Sequence, residues 1–143
     1  MRKVLVACAV GVVIVTAASS CSSDSKGSSG VSVAVEAREN GKVYSLVADR
    51  TTVPAGPVTI KLSNKGTIQH EMVVLKTDEP IDGLIVGDDH KVSEDASVGE
   101  VGEIGAGTSG TVTLDLIPGN YALVCNIALH YGLGMRTAFT VTG

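Results

Sequence analysis

The stretch from Gly110 to Thr142, GTVTLDLIPGNYALVCNIALHYGLGMRTAFTVT, decides the fold. Its first run, Gly110 to Leu116, alternates Val112, Leu114 and Leu116 with Thr111, Thr113 and Asp115, the period of two expected of a strand with one buried face. Pro118-Gly119 then reverses the chain. Two further runs, Asn120 to Cys125 and Arg136 to Thr142, read as strands on either side of a loop.

The same pattern extends upstream. Val31 to Glu36, Lys42 to Ala48, Pro57 to Ser63 and His70 to Lys76 are short alternating or β-branched runs. Turn residues separate them at Asn40-Gly41, Pro54-Ala55-Gly56 and Asn64-Lys65-Gly66. No stretch of residues 31 to 143 sustains apolar spacing at i, i+3, i+4 and i+7, so the domain reads as all-β. Seven or eight strands in that length imply a β-sandwich, and Leu116 to Tyr121 resembles the tyrosine corner of Greek-key domains. With no Trp and one Phe, the core has to be built from Val, Leu, Ile and Ala. The 143 residues suit one domain, and a net charge of −4 with scattered Lys and Arg argues against nucleic acid as a partner.

Upstream of residue 31 the chain has a different character. Arg2 and Lys3 precede an apolar run from Val4 to Ala18, too short for the ~20 residues of a spanning helix. Residues 1–20 are expected to be a secretory signal, and Ala18-Ser19-Ser20-Cys21 resembles the lipobox of bacterial lipoproteins. Cys21 is then the lipidation site, residues 21–30 a Ser/Gly-rich tether, and residues 31–143 the folded domain. The expected location is extracytoplasmic, anchored to the bacterial cell membrane. Between Thr77 and Glu103, nine carboxylates face one Lys, a run read as a solvated loop whose Ile81, Leu84, Ile85 and Val86 pin one end to the sandwich.

Loss of Cys8 with the signal and of Cys21 to lipid leaves Cys125 as the lone thiol of an exported domain. Its neighbours supply a reason for it. Cys125, His130 and Met135 stand at C-x4-H-x4-M, a placement that chance gives roughly one time in a thousand at this composition. A thiolate, an imidazole and a thioether suit copper far better than oxygen-seeking calcium or magnesium. A trigonal copper site needs a second imidazole, for which His70, at a loop-to-strand junction, fits better than His90 in Gly87-Asp88-Asp89-His90-Lys91. Met72 is expected in the core.

With this quartet, the chain from about Tyr44 onward resembles the cupredoxins, the type 1 blue copper family of plastocyanin and azurin, and its ligand spacing is similar to the rusticyanin and sulfocyanin kind. The resemblance implies a Greek-key sandwich or barrel of about eight strands holding one copper ion. It also implies His70, Cys125 and His130 as equatorial ligands and Met135 as the long axial one. Two departures stand out. Glu71 occupies the position after the first His where many members have Asn or Ser, leaving Asn126 as a candidate brace, and Ile127-Ala128-Leu129 lacks the Pro that often stiffens the ligand loop.

Such coordination leaves no open position for a substrate, so electron transfer is expected and enzymatic turnover is not. The edge of His130 is the expected electron port, with Ile127, Leu129, Tyr131 and Leu133 as candidates for an apolar patch where redox partners dock weakly. A monomer is expected. The competing reading is a lipoprotein that sequesters or delivers copper, disfavoured because the chain lacks Met-rich or His-rich tracts.

Overall fold

Val33, Val35 and Ala37 are buried while Ser32, Ala34 and Arg38 face solvent, so β1 (Val31–Asn40) is a strand with one apolar face. In the computed structural model, which describes residues 30–143, it is followed by β2 (Val43–Ala48), β3 (Thr52–Pro54), β4 (Gly56–Asn64) and β5 (His70–Lys76). Then come β6 (Ser97–Ile104), β7 (Ser109–Leu116), β8 (Gly119–Val124) and β9 (Arg136–Thr142). Residues 1–29, which hold the expected signal, Cys21 and all of the tether except Gly30, lie outside the described residues.

The strands form two sheets, of order β2-β1-β4-β7 and β3-β9-β8-β5-β6, in a Greek-key β-sandwich. Between the sheets lie Val33, Val35, Ile60, Leu62, Met72, Val74, Leu123 and Phe139, all essentially inaccessible. Met72 is thus a core residue, as expected. The Tyr121 hydroxyl donates to the Ile117 carbonyl at 2.8 Å, closing the corner that leads β7 into β8.

Two strands escaped the sequence pattern. β3 is three residues long and pairs in parallel with β9. All of β6 but Ile104 lies inside the run read as a solvated loop. It is an edge strand rich in Gly and Glu, and such composition hides it from strand propensity while discouraging edge-to-edge association. β1 also runs past the expected Glu36 to Asn40.

The acidic segment has a second structural role. β5 and β8 lack alternation because both of their faces are covered, the outer one by this segment. Val73, Leu75, Ala122 and Val124 pack there with Val92 and Tyr131, and Ile81 and Leu84 close over them. Of the four residues expected to pin the segment, Ile81 and Leu84 do so, whereas Ile85 and Val86 are exposed. Two apolar contacts suffice because hydrogen bonds supply the rest. The Tyr131 hydroxyl donates to Ile81 O at 2.7 Å, and Arg136 Nε donates to Asp82 Oδ1 at 2.7 Å.

Candidate metal centre

β5 and β8 are antiparallel neighbours, so the start of one meets the end of the other at one edge of the sandwich. His70 opens β5, and Cys125 directly follows β8. Alternation along both strands turns His70 and Cys125 to the inner face, with Met72, Val74, Tyr121 and Leu123. The Glu71 amide donates to Cys125 Sγ at 3.5 Å, fixing the two strands at that point.

After Cys125 the chain folds into consecutive turns. His130 N donates to Ile127 O at 2.9 Å, Leu133 N to Leu129 O at 3.0 Å, and Gly134 N to Tyr131 O at 3.0 Å. Met135 N then donates to His130 O at 3.0 Å, and Cys125 N to Met135 O at 3.0 Å, which closes the loop on itself. Two positions carry backbone constraints. Leu129 has φ 76°, and Gly134 has φ 115° with space for no side chain, since a Cβ there would lie 2.8 Å from the Tyr44 carbonyl oxygen.

His70, Cys125 and His130 come together with their donor atoms all within 4.8 Å of one another, and all three are buried. Each imidazole turns Nδ1 toward the sulfur, at 3.9 Å from His70 and 3.3 Å from His130. Met135 is fully buried beside them through its backbone bonds to Cys125 and His130. His90 stands apart, exposed on a turn with φ 61°.

The electrostatics favour a soft cation. Burial pushes the Cys125 thiol up to about 11, so a nearby positive charge is what would keep it ionised at neutral pH. Burial, then the neighbouring His70 ring, holds His130 below its ordinary value, leaving it neutral with a lone pair to donate. Two imidazole nitrogens and a thiol, with no carboxylate among them, fit copper by donor chemistry.

The upstream half of the centre includes two residues that the sequence reading passed over. Glu39 Oε2 accepts from His70 Nε2 at 2.6 Å. Burial raises the Glu39 carboxyl, but the Thr67 amide, the His70 ring, the Thr67 hydroxyl and the Ile68 amide outweigh it and bring it to about 2. The Tyr44 ring lies edge-on to His70 at 6.4 Å and tilted against His130 at 5.2 Å. A signal for Glu39 was present: it continues the inward series Val33, Val35, Ala37, and an acid at an inward position calls for a partner.

Asn126 braces the loop, as its sequence suggested. Its Oδ1 accepts from Val92 N at 2.8 Å, and its Nδ2 donates to Val92 O at 3.0 Å and to Glu94 Oε1 at 2.7 Å. Among the four candidates for the apolar patch, Leu129 and Leu133 are exposed and line a shallow cavity with Val86, His90 and Gly132. Tyr131 and Ile127 are not part of that surface. Tyr131 packs under the acidic segment and Ile127 against the core, because both lie on the inward side of the loop's turns.

Comparison with known proteins agrees with this geometry. A family model described as Sulfocyanin (SoxE) domain matches residues 8–143. The dithionite-reduced auracyanin of the photosynthetic bacterium Roseiflexus castenholzii is 26% identical, with a TM-score of 0.56, covering 80% of this chain and 100% of that one. Rusticyanin from Thiobacillus ferrooxidans, at 19% identity, shares the fold with a TM-score of 0.60, covering 80% of this chain and 79% of its own. Auracyanin A of Chloroflexus aurantiacus, described as a blue copper protein, is 19% identical with a TM-score of 0.55 over 78% of this chain and 99% of that one. No curated protein matches. The buried His-Cys-His cluster at the mouth of a Greek-key sandwich and the match over residues 8–143 agree: the chain belongs to the sulfocyanin domain family of the cupredoxins, copper proteins that transfer electrons.

Proposed function

We propose that this protein is a membrane-tethered, extracytoplasmic carrier of single electrons, in which His70 Nδ1, Cys125 Sγ and His130 Nδ1 would hold copper, with Met135 as the candidate fourth ligand. The observation that carries the reading is the convergence of two Nδ1 atoms on one buried sulfur. Bound there, copper supplies one-electron chemistry by alternating between Cu(I) and Cu(II). The residues do the rest. Strands β5 and β8 hold His70 and Cys125 on a packed core, and the closed loop holds His130, so little rearrangement need accompany a change of charge. His130, 7% exposed, offers an edge toward solvent beside the exposed Leu129 and Leu133, a surface suited to brief contact with a redox partner.

Tethering rests on the sequence: lipid on Cys21, with the Ser/Gly-rich residues 21–30 as the spacer to the domain of residues 31–143. Among the described residues no helix is long and apolar enough to cross a membrane.

The test is a visible absorption spectrum after addition of Cu(II), for the wild type and Cys125→Ser. A strong thiolate-to-copper band is expected in the wild type, bleached reversibly by reductant and missing from the variant. Tight copper binding without that band would overturn the carrier reading in favour of sequestration or delivery.

A further inference from the structure

Glu39 lies outside the ligand set, 31 residues upstream of His70, yet among the described residues its carboxylate accepts more hydrogen bonds from protein groups than any other acid. Oε1 takes the Thr67 hydroxyl at 2.9 Å, the Ile68 amide at 3.1 Å and the Thr67 amide, while Oε2 faces His70 Nε2 at 2.6 Å. Its side chain is 9% exposed and that of His70 is inaccessible. The cradle is built for it. Gly66 leaves no room for a side chain because the carboxylate occupies the place of a Cβ, and Asn64 ties the turn together. Asn64 Nδ2 donates to Ile68 O at 2.7 Å and Ile104 O at 3.1 Å, and its Oδ1 accepts from Gly66 N at 2.9 Å.

A carboxylate held by three donors at Oε1 accepts at Oε2 as well, so His70 Nε2 is the donor of their bond, and a ring with one proton then carries its lone pair on Nδ1, the atom aimed at Cys125 Sγ. A carboxylate behind a metal-binding imidazole also raises the ring's basicity. We propose that Glu39 is a positioning residue for the metal: it locks His70 in the Nε2–H tautomer and places a fixed negative charge one imidazole away from the ion, favouring Cu(II) over Cu(I). This rests on the reading of His70 as a copper ligand.

Glu39→Gln separates charge from shape. With its carbonyl oxygen in the Thr67–Ile68 cradle, the Gln amide turns N–H toward His70 Nε2, which then has to accept, moving the ring proton to Nδ1. The expected result is Cu(II) binding weakened about tenfold more than Cu(I) binding, an upward shift of the reduction potential of about 59 mV for one electron. Glu36→Gln, on the same strand but paired with Arg38 at the surface, is the control and leaves the potential where it was.

Since Glu39 also anchors the 67–68 turn, the tautomer is read first without any substitution, by ¹⁵N NMR of the metal-free wild type. A dominant Nδ1–H form of His70 would overturn the proposal, as would a Glu39→Gln protein that keeps its thiolate-to-copper band with tautomer and potential unchanged. A wild type without that band would overturn the copper reading itself and this inference with it, so the two failures are told apart by where the band is lost.

Discussion

The two halves of the metal centre are assembled in opposite ways. Cys125, His130 and Met135 fall within eleven residues and are positioned by hydrogen bonds that the loop makes to itself. His70, Glu39 and Tyr44 come from three strands: Glu39 and Tyr44 pair across β1 and β2 in one sheet, and the packing of the two sheets brings them to His70 on β5 in the other. A buried asparagine stabilises each half. Asn126 ties the loop to the acidic segment at Val92 and Glu94, and Asn64 ties the turn before His70 to Ile104. The difference teaches that a local half can be recognised by spacing, whereas a non-local half is created by the fold.

The comparison is broken most severely where the halves touch. Gly134→Ala would place a Cβ 2.8 Å from the Tyr44 carbonyl oxygen at a φ of 115° that L side chains rarely adopt. Overpacking and strain together are expected to cost about 3 kcal/mol in urea unfolding of the metal-free protein. A loss below about 1 kcal/mol would mean that the loop half is free to move away from β2.

Next come the two asparagines, compared directly. Asn64→Ala strands the Ile68 and Ile104 carbonyls and the Gly66 amide, and Asn126→Ala strands both backbone groups of Val92. Each is expected to cost about 2 kcal/mol. Hydrogen exchange distinguishes them. Asn126→Ala speeds exchange in the segment around Val92, and Asn64→Ala speeds it around Gly66 to Ile68 and leaves Val92 unchanged. Exchange rising in both places in either variant would show one cooperative unit in place of two halves.

Legibility follows the same division. C-x4-H-x4-M could be read directly because three rare donors recur at fixed spacing, and His70 because few histidines compete with it. The tyrosine corner was legible because Pro118-Gly119 and Tyr121 are adjacent in sequence. Glu39 was not recognised, since its partners Thr67, Ile68 and His70 lie about thirty residues away. β6 was missed because Ser97 to Ile104 carries Glu and Gly where a central strand would carry Val and Ile, and only its place at the sheet edge makes that tolerable. The cover over β5 and β8 rests on Ile81, Leu84 and Val92 scattered among acids, a spacing with no strand or helix period.

A smaller effect is expected at the corner that delivers β8 to the centre. Tyr121→Phe removes the hydroxyl bond to Ile117 O and is expected to cost about 1 kcal/mol. Burial raises the Tyr121 pKa above its ordinary 10.0, so the folded state holds the phenolic proton more tightly than the unfolded chain does. That contribution is intact below pH 10 and declines as the pH rises beyond it. Urea unfolding between pH 9 and pH 11 should therefore show an alkaline decline in the wild type that Tyr121→Phe lessens, and equal slopes would exclude the phenol as its source.

The smallest expected change has the opposite sign and tests whether the loop half stores strain. Leu129 has φ 76° one residue before His130, and the residue is 54% exposed, so little packing offsets the left-handed backbone. Its amide donates to His90 O at 3.1 Å and its carbonyl accepts from Leu133 N at 3.0 Å, bonds that a glycine keeps. Leu129→Gly removes a steric cost of about 1–2 kcal/mol and adds chain entropy of about 0.5–1 kcal/mol to the unfolded state. A net stabilisation of about 0.5 kcal/mol is expected in urea unfolding, with the thiolate-to-copper band unmoved. Destabilisation would show that Leu129 is held in place by contacts worth more than its strain, and that the loop depends on its surroundings as much as the strand-built half does.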